Sequence, residues 1–86
     1  MIGIYQITNL VNGKKYIGQS NCIERRFRQH LSLCEQKRFS NKPLYLAFKK
    51  YGIQNFIFEV VEECAVDLLN QQEQYWIDYY HTSIRD

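Results

Sequence analysis

The sequence predicts an α/β domain of the α+β kind: a small three-stranded, mostly antiparallel sheet flanked by helices. Asn12-Gly13 lies between two β-forming stretches, residues 2–8 and 15–19. Both residues tolerate φ > 0, which a two-residue type I′ hairpin turn demands. Residues 56–61 (FIFEVV) are rich in β-formers and nearly all apolar, as in a strand buried on both faces. The stretches between and after these have helical periodicity.

A two-residue turn pairs Val11 with Lys14 and Asn9 with Tyr16. Side chains alternate with period two, so Tyr5, Ile7 and Asn9 then share a face with Tyr16 and Gly18. Two phenols stand on that face, beside a glycine that leaves room over the backbone. The strand preference of tyrosine is one explanation of the pair, and a bulge would reverse the faces. Ser20-Asn21 offers a helix cap, with Glu24 in capping-box spacing. The helix runs to about residue 35 on a core stripe of Ile23, Phe27, Leu31 and Cys34. Arg25, Arg26, Arg28 and His30 lie off that stripe, and Arg26 and His30, four apart, share a face.

Residues 36–41 read as a polar, basic loop with an exposed Phe39. Pro43 suits the first turn of a second helix, whose apolar face is Leu44, Ala47, Phe48 and Tyr51 and whose left-handed cap is Gly52. The run 56–61 is expected at the centre of the sheet. A last helix starts near Asp67 and reaches about residue 80. Leu69, Glu73, Trp76 and Tyr80 fall on one stripe of it. A Glu is almost never fully buried unless it is paired or bound to a metal. Glu73 therefore either sits at the rim with its carboxylate in water or belongs to a site.

Eighty-six residues, 45% hydrophobic and 23% charged, suit one folded domain with a modest core. No apolar run reaches the roughly 18 residues of a membrane span. Residues 1–3 lack the basic region and apolar stretch of a signal peptide, so the expectation is an intracellular chain that engages no membrane. Cys22, Cys34 and Cys64 are odd in number and widely spaced, which indicates reduced thiols and neither a disulfide framework nor a zinc knuckle. The net charge of +2 hides an asymmetry. Residues 1–58 carry ten Lys and Arg against Glu24 and Glu35, a net of +8, and residues 59–86 carry seven acids against Arg85, a net of −6. A basic front half suits a polyanion, since phosphate neutralisation releases counterions. Two solvated halves that attract each other are the other reading.

Gly3-Ile4-Tyr5 and Tyr16-Ile17-Gly18, with Arg26 ten residues after the second tyrosine and His30 a helical turn later, resemble the GIY-YIG nuclease superfamily. Residues 44–52 (LYLAFKKYG) and Phe56 match its L-x-x-A-F-x-K-Y-G…F stretch, and Glu73, followed by aromatics, matches its metal-binding glutamate. The resemblance covers nearly the whole chain, and the ordered set is highly specific where a lone Gly-Ile-Tyr is not.

The resemblance implies hydrolysis of DNA phosphodiesters with one divalent ion, Mg²⁺ or Mn²⁺, held by Glu73. Arg26, always charged and planar, would stabilise charge on the phosphoryl group. A tyrosine would deprotonate or orient the attacking water; either Tyr5 or Tyr16 fits, provided cationic neighbours or the metal lower a phenol pKa of about 10. His30 would take up the phenol proton or bind phosphate. Gly18 would let substrate approach the strand, and Lys14, Arg25, Arg28 and Lys42 would hold DNA phosphates. The two hydroxyls, Arg26, His30 and Glu73 are expected on one concave surface, with the core across the sheet.

Two positions depart from the family pattern. Ser40 stands where homing members often have a histidine, and the chain stops where a G-Y-N-like segment would begin, as in a truncated domain or a weakened site. The rival reading is a weak or inactive relative that binds nucleic acid without cutting. Base specificity would come from a further DNA-binding domain or a partner protein. Neither the oligomeric state nor the biological role follows from these residues.

Overall fold

The structure is a computed structural model and describes residues 1–37 and 42–80. Strands β1 (Gly3–Asn9) and β2 (Lys15–Ser20) are followed by helices α1 (Ile23–Glu35) and α2 (Pro43–Tyr51), strand β3 (Phe56–Glu63) and helix α3 (Leu69–Tyr79). The three strands form one antiparallel sheet in the order β2-β1-β3. The α+β class read from the sequence is the one observed. The loop positions Phe39 and Ser40 lie outside the described residues.

The hairpin forms where Asn12-Gly13 predicted it, with a four-residue loop in place of two. Asn9 N–H donates to the Lys14 carbonyl at 2.8 Å and Gly13 N–H to the Asn9 carbonyl at 2.7 Å. The side-chain oxygens of Asn9 and Asn12 accept from the N–H groups of Val11 and Lys14, each at 2.9 Å. Asparagine side chains thus fold the loop on itself, as they do in Asx turns. Tyr16 therefore faces Ile7, not Asn9, and Tyr5 faces Gly18. The slip is two residues, an even number, so every side chain keeps its predicted face.

The central strand is β1, not the run 56–61. Ile4, Tyr5 and Ile7 are all buried, while Ile57 and Val60 on β3 are exposed. Strand order explains the difference, since β1 has a neighbour on each side and β3 has one, and β3 is also bulged. Ile4 pairs with Glu62 but Tyr5 with Val60, leaving Val61 over, and the extra residue shifts the alternation. Phe56 and Phe58 pack on one side of the sheet and Val61 on the other.

Both faces carry core, which corrects the expectation of an open tyrosine face. Tyr5, Ile7 and Tyr16 pack with Ile23 of α1 and Leu44, Tyr45, Ala47 and Phe48 of α2. Ile4 and Ile17 pack with Leu69 and Ile77 of α3. Helix α1 begins without a side-chain cap; Glu24 bonds the Met1 amino group at 2.9 Å instead of closing a capping box. Its core stripe is Ile23, Phe27, His30 and Cys34, since Leu31 is 43% exposed and His30 only 1%. Steps of four, three and four hold one face of a 3.6-residue helix better than the predicted four, four and three. Pro43 opens α2 as predicted, and Gly52 follows it at φ +85°. The three cysteines are free thiols. Among the described residues no helix is long and apolar enough to cross a membrane.

Candidate active site

Register places the two tyrosines, and two glycines make room for what lies beside them. The Tyr5 ring lies over Gly18, so that a methyl group at position 18 would sit 2.5 Å from the Tyr5 hydroxyl oxygen. The space over Gly18 is filled by this ring, where the sequence reading reserved it for substrate. Glycine at position 3 answers to a different neighbour, the backbone of β3: an added methyl would meet the Glu62 carbonyl and lie 2.9 Å from the Cα of Glu63. The bulged strand closes in at that point.

Tyr5 is 1% and Tyr16 4% exposed. Tyr5 meets Phe27 edge to face with centroids 5.3 Å apart, and the His30 ring is 6.4 Å away. Burial, and then the neighbouring Tyr51, raise the Tyr16 phenol above its ordinary 10.0. An uncharged phenol is the form that a desolvated site favours. His30 is enclosed by Tyr5, Tyr45, Phe48 and Phe58. Its Nδ1 is 2.7 Å from the Tyr45 hydroxyl. Direct phosphate contact is closed to a ring so buried, and its place is against the tyrosines from α1. Arg26, one turn earlier, is half-buried.

Glu73 is 6% exposed, not a rim residue. Its Oε1 accepts from the Gln19 amide at 3.3 Å, and the same amide donates to Asn70 Oδ1 at 2.7 Å. Gln19 alternates with Gly18 along β2, so it points to the α3 side of the sheet. The structure thus brings Tyr5, Tyr16 and His30 into one core and ties Glu73 to β2 from the other face. The five residues do not share one sheet face. Strand β2 is an edge strand, and groups from both faces of the sheet meet at it, Tyr5 over Gly18 and Glu73 on Gln19. Gln19, which bonds Glu73, and Asn70, which accepts from Gln19, were missed in the sequence; nothing local marks a contact between residues 51 positions apart. Lys14, Arg25, Arg28 and Lys42 are all exposed, and Arg25 and Arg28 line a common groove.

Comparison with known proteins gives the same answer at the level of the whole domain. Residues 1–85 match the model of the GIY-YIG catalytic domain. Intron-associated endonuclease 1 of Enterobacteria phage T4 is 33% identical over 84 residues, which are 95% of this chain and 34% of that protein. The solved catalytic domain of homing endonuclease I-TevI superposes with a TM-score of 0.81 at 30% identity, covering 96% of this chain and 91% of that one. A glutamate-to-alanine variant of that domain superposes at 0.78 with 32% identity, over 93% and 84% of the two chains. The chain spans between 18% and 34% of the length of three curated relatives that it matches. Two glycines shaped by their neighbours, two tyrosines in one register and a match over nearly every residue make this chain a member of the GIY-YIG catalytic domain family of endonucleases.

Proposed function

We propose that this chain is the catalytic domain of a divalent-metal-dependent endonuclease that hydrolyses DNA phosphodiesters inside the cell. The observation that carries the reading is the buried Glu73, held by Gln19. Glu73 stands where the family resemblance puts its metal ligand, with its carboxylate withdrawn from bulk water and oriented by Gln19. Among the described residues no three His, Cys, Asp or Glu gather to hold an ion. One carboxylate therefore suits Mg²⁺ or Mn²⁺, which keep waters and accept phosphate oxygens as further ligands. Such an ion, when bound, supplies Lewis-acid stabilisation at the leaving 3′ oxygen.

The chain's own residues account for the rest. Arg26 binds the scissile phosphate through its planar fork and opposes the charge that grows on it. A buried tyrosine holds its proton at neutral pH and orients the attacking water; it becomes a base only where a cation lowers its pKa. His30 positions the Tyr5 ring. The much greater length of the relatives supports a further domain, or a partner, as the source of specificity.

The test is supercoiled plasmid incubated with and without Mg²⁺ or Mn²⁺, for the parent and for Glu73→Gln. Nicking is expected from the parent with metal alone, and none from the variant, whose melting temperature should stay within about 2 °C because the amide keeps an oxygen for Gln19. A variant that nicks like the parent removes the metal role. A parent that binds DNA but nicks in neither metal leaves the binding-module reading.

A further inference from the structure

At about 100° per residue, α1 presents three faces. Ile23, Phe27, His30 and Cys34 point to the core. Arg25, Arg28, Gln29, Ser32 and Gln36 fall on the opposite side, and Arg26 stands on a flank between the two. Arg25, Arg28, Gln29 and Ser32 line a shallow, open groove. All five residues of the strip are exposed. Arg25 leans back on Asn21 Oδ1 at 3.4 Å, and the Gln36 amide donates to Ser32 Oγ at 3.1 Å. Glu24, four residues before Arg28, is bonded to the Met1 amino group, and that amino group and then Arg28 hold its carboxyl below the usual range. From Arg25 to Gln36 the strip runs roughly 16 Å, with the exposed Glu35 at its edge near the far end and its two guanidinium groups at the near end.

We infer that this outer strip of α1 is a phosphate-backbone track for duplex DNA, separate from the scissile-phosphate site served by Arg26. The occupant rests on the nuclease reading above. Charge complementarity supports it: the strip lies in the half of the chain that carries +8, and neutralised phosphates release counterions. Guanidinium forks suit phosphate oxygens, and Gln and Ser side chains commonly hydrogen-bond the same groups. Contacts of that kind set position and affinity and carry no sequence information.

The experiment measures binding to a 30-base-pair duplex without metal at 50–200 mM salt. It compares the parent with the double variant Arg25→Ala/Arg28→Ala and with Arg25→Lys/Arg28→Lys. Loss of two phosphate contacts should flatten the plot of log affinity against log salt by about 1.8. The ratio of parent to variant affinity should then shrink roughly tenfold across that range, equally on unrelated duplexes. The lysine variant should keep most of the slope. A circular dichroism melt checks that the alanine variant is folded; if it is not, the single variants Arg25→Ala and Arg28→Ala, each expected to flatten the slope by about 0.9, take its place. An unchanged slope on a duplex that the parent binds overturns the track alone. A parent that binds no duplex overturns the track and the nuclease reading together.

Discussion

A methyl group on Gly18 would lie 2.5 Å from the Tyr5 hydroxyl oxygen, and the Tyr5 ring cannot retreat far, because Phe27 and His30 stand behind it. Gly18→Ala should therefore overpack this corner and destabilise the domain by about 1–3 kcal/mol. A melt should show Tm lowered by roughly 5 °C or more, and nicking should fall with the displaced phenol. An unchanged melt and unchanged nicking would mean that the ring has room elsewhere. The second glycine of the paired tripeptides was legible as a signal, but its reason was not. A sequence shows the missing side chain and is silent about which neighbour needs the space.

Helices α1 and α2 are joined inside the core by His30 Nδ1 and the Tyr45 hydroxyl, 2.7 Å apart. Tyr45→Phe removes one partner and leaves the other buried, a change that typically costs about 1–3 kcal/mol. Urea unfolding should show the loss as a lower midpoint with an unchanged slope; a midpoint equal to the parent's would show that the bond contributes nothing. Periodicity placed both helices within a residue or two, since an apolar stripe reports which side of a helix is dry. It misjudged the phase on α1, where a polar ring occupies the core and Leu31 does not. On β3 it mistook an apolar run for a central strand, because composition does not reveal strand order, and β3 lies at the edge with Phe58 on one face and Val61 on the other.

For the whole molecule, three buried or half-buried acids bind their protons more tightly in the fold. Burial raises Cys34 and Cys64 above 9.0, with Glu62 and Asp67 adding to the rise at Cys64, and raises Tyr16 above 10.0. In each case the unfolded chain ionises first. The stability from these groups is therefore complete below pH 9, and it is lost as pH climbs through 9 and past 10. Unfolding free energy measured from pH 7 to 11 should fall along that limb, and Tyr16→Phe should reduce the part of the fall above pH 10. A variant whose alkaline limb matches the parent's would exclude Tyr16 as a source. The same scale holds the charge asymmetry. The basic helices α1 and α2 cover one face of the sheet and α3, in the acidic half, covers the other, so the two helix layers differ in charge.

What the sequence determined by itself was local and periodic. It set the hairpin, the three helices, the face of each tyrosine and the ordered tripeptides that mark the family, because each depends on residues within one helix or one hairpin. What only the tertiary structure decided was the company these residues keep. Glu73 is buried against Gln19, 54 positions away; Gly18 lies under Tyr5; and the tyrosines and the glutamate reach the edge strand from opposite faces. The physical reason is that periodicity states which side of an element a residue takes. Which element packs there depends on strand order and register, and these are settled by the burial of both sheet faces at once.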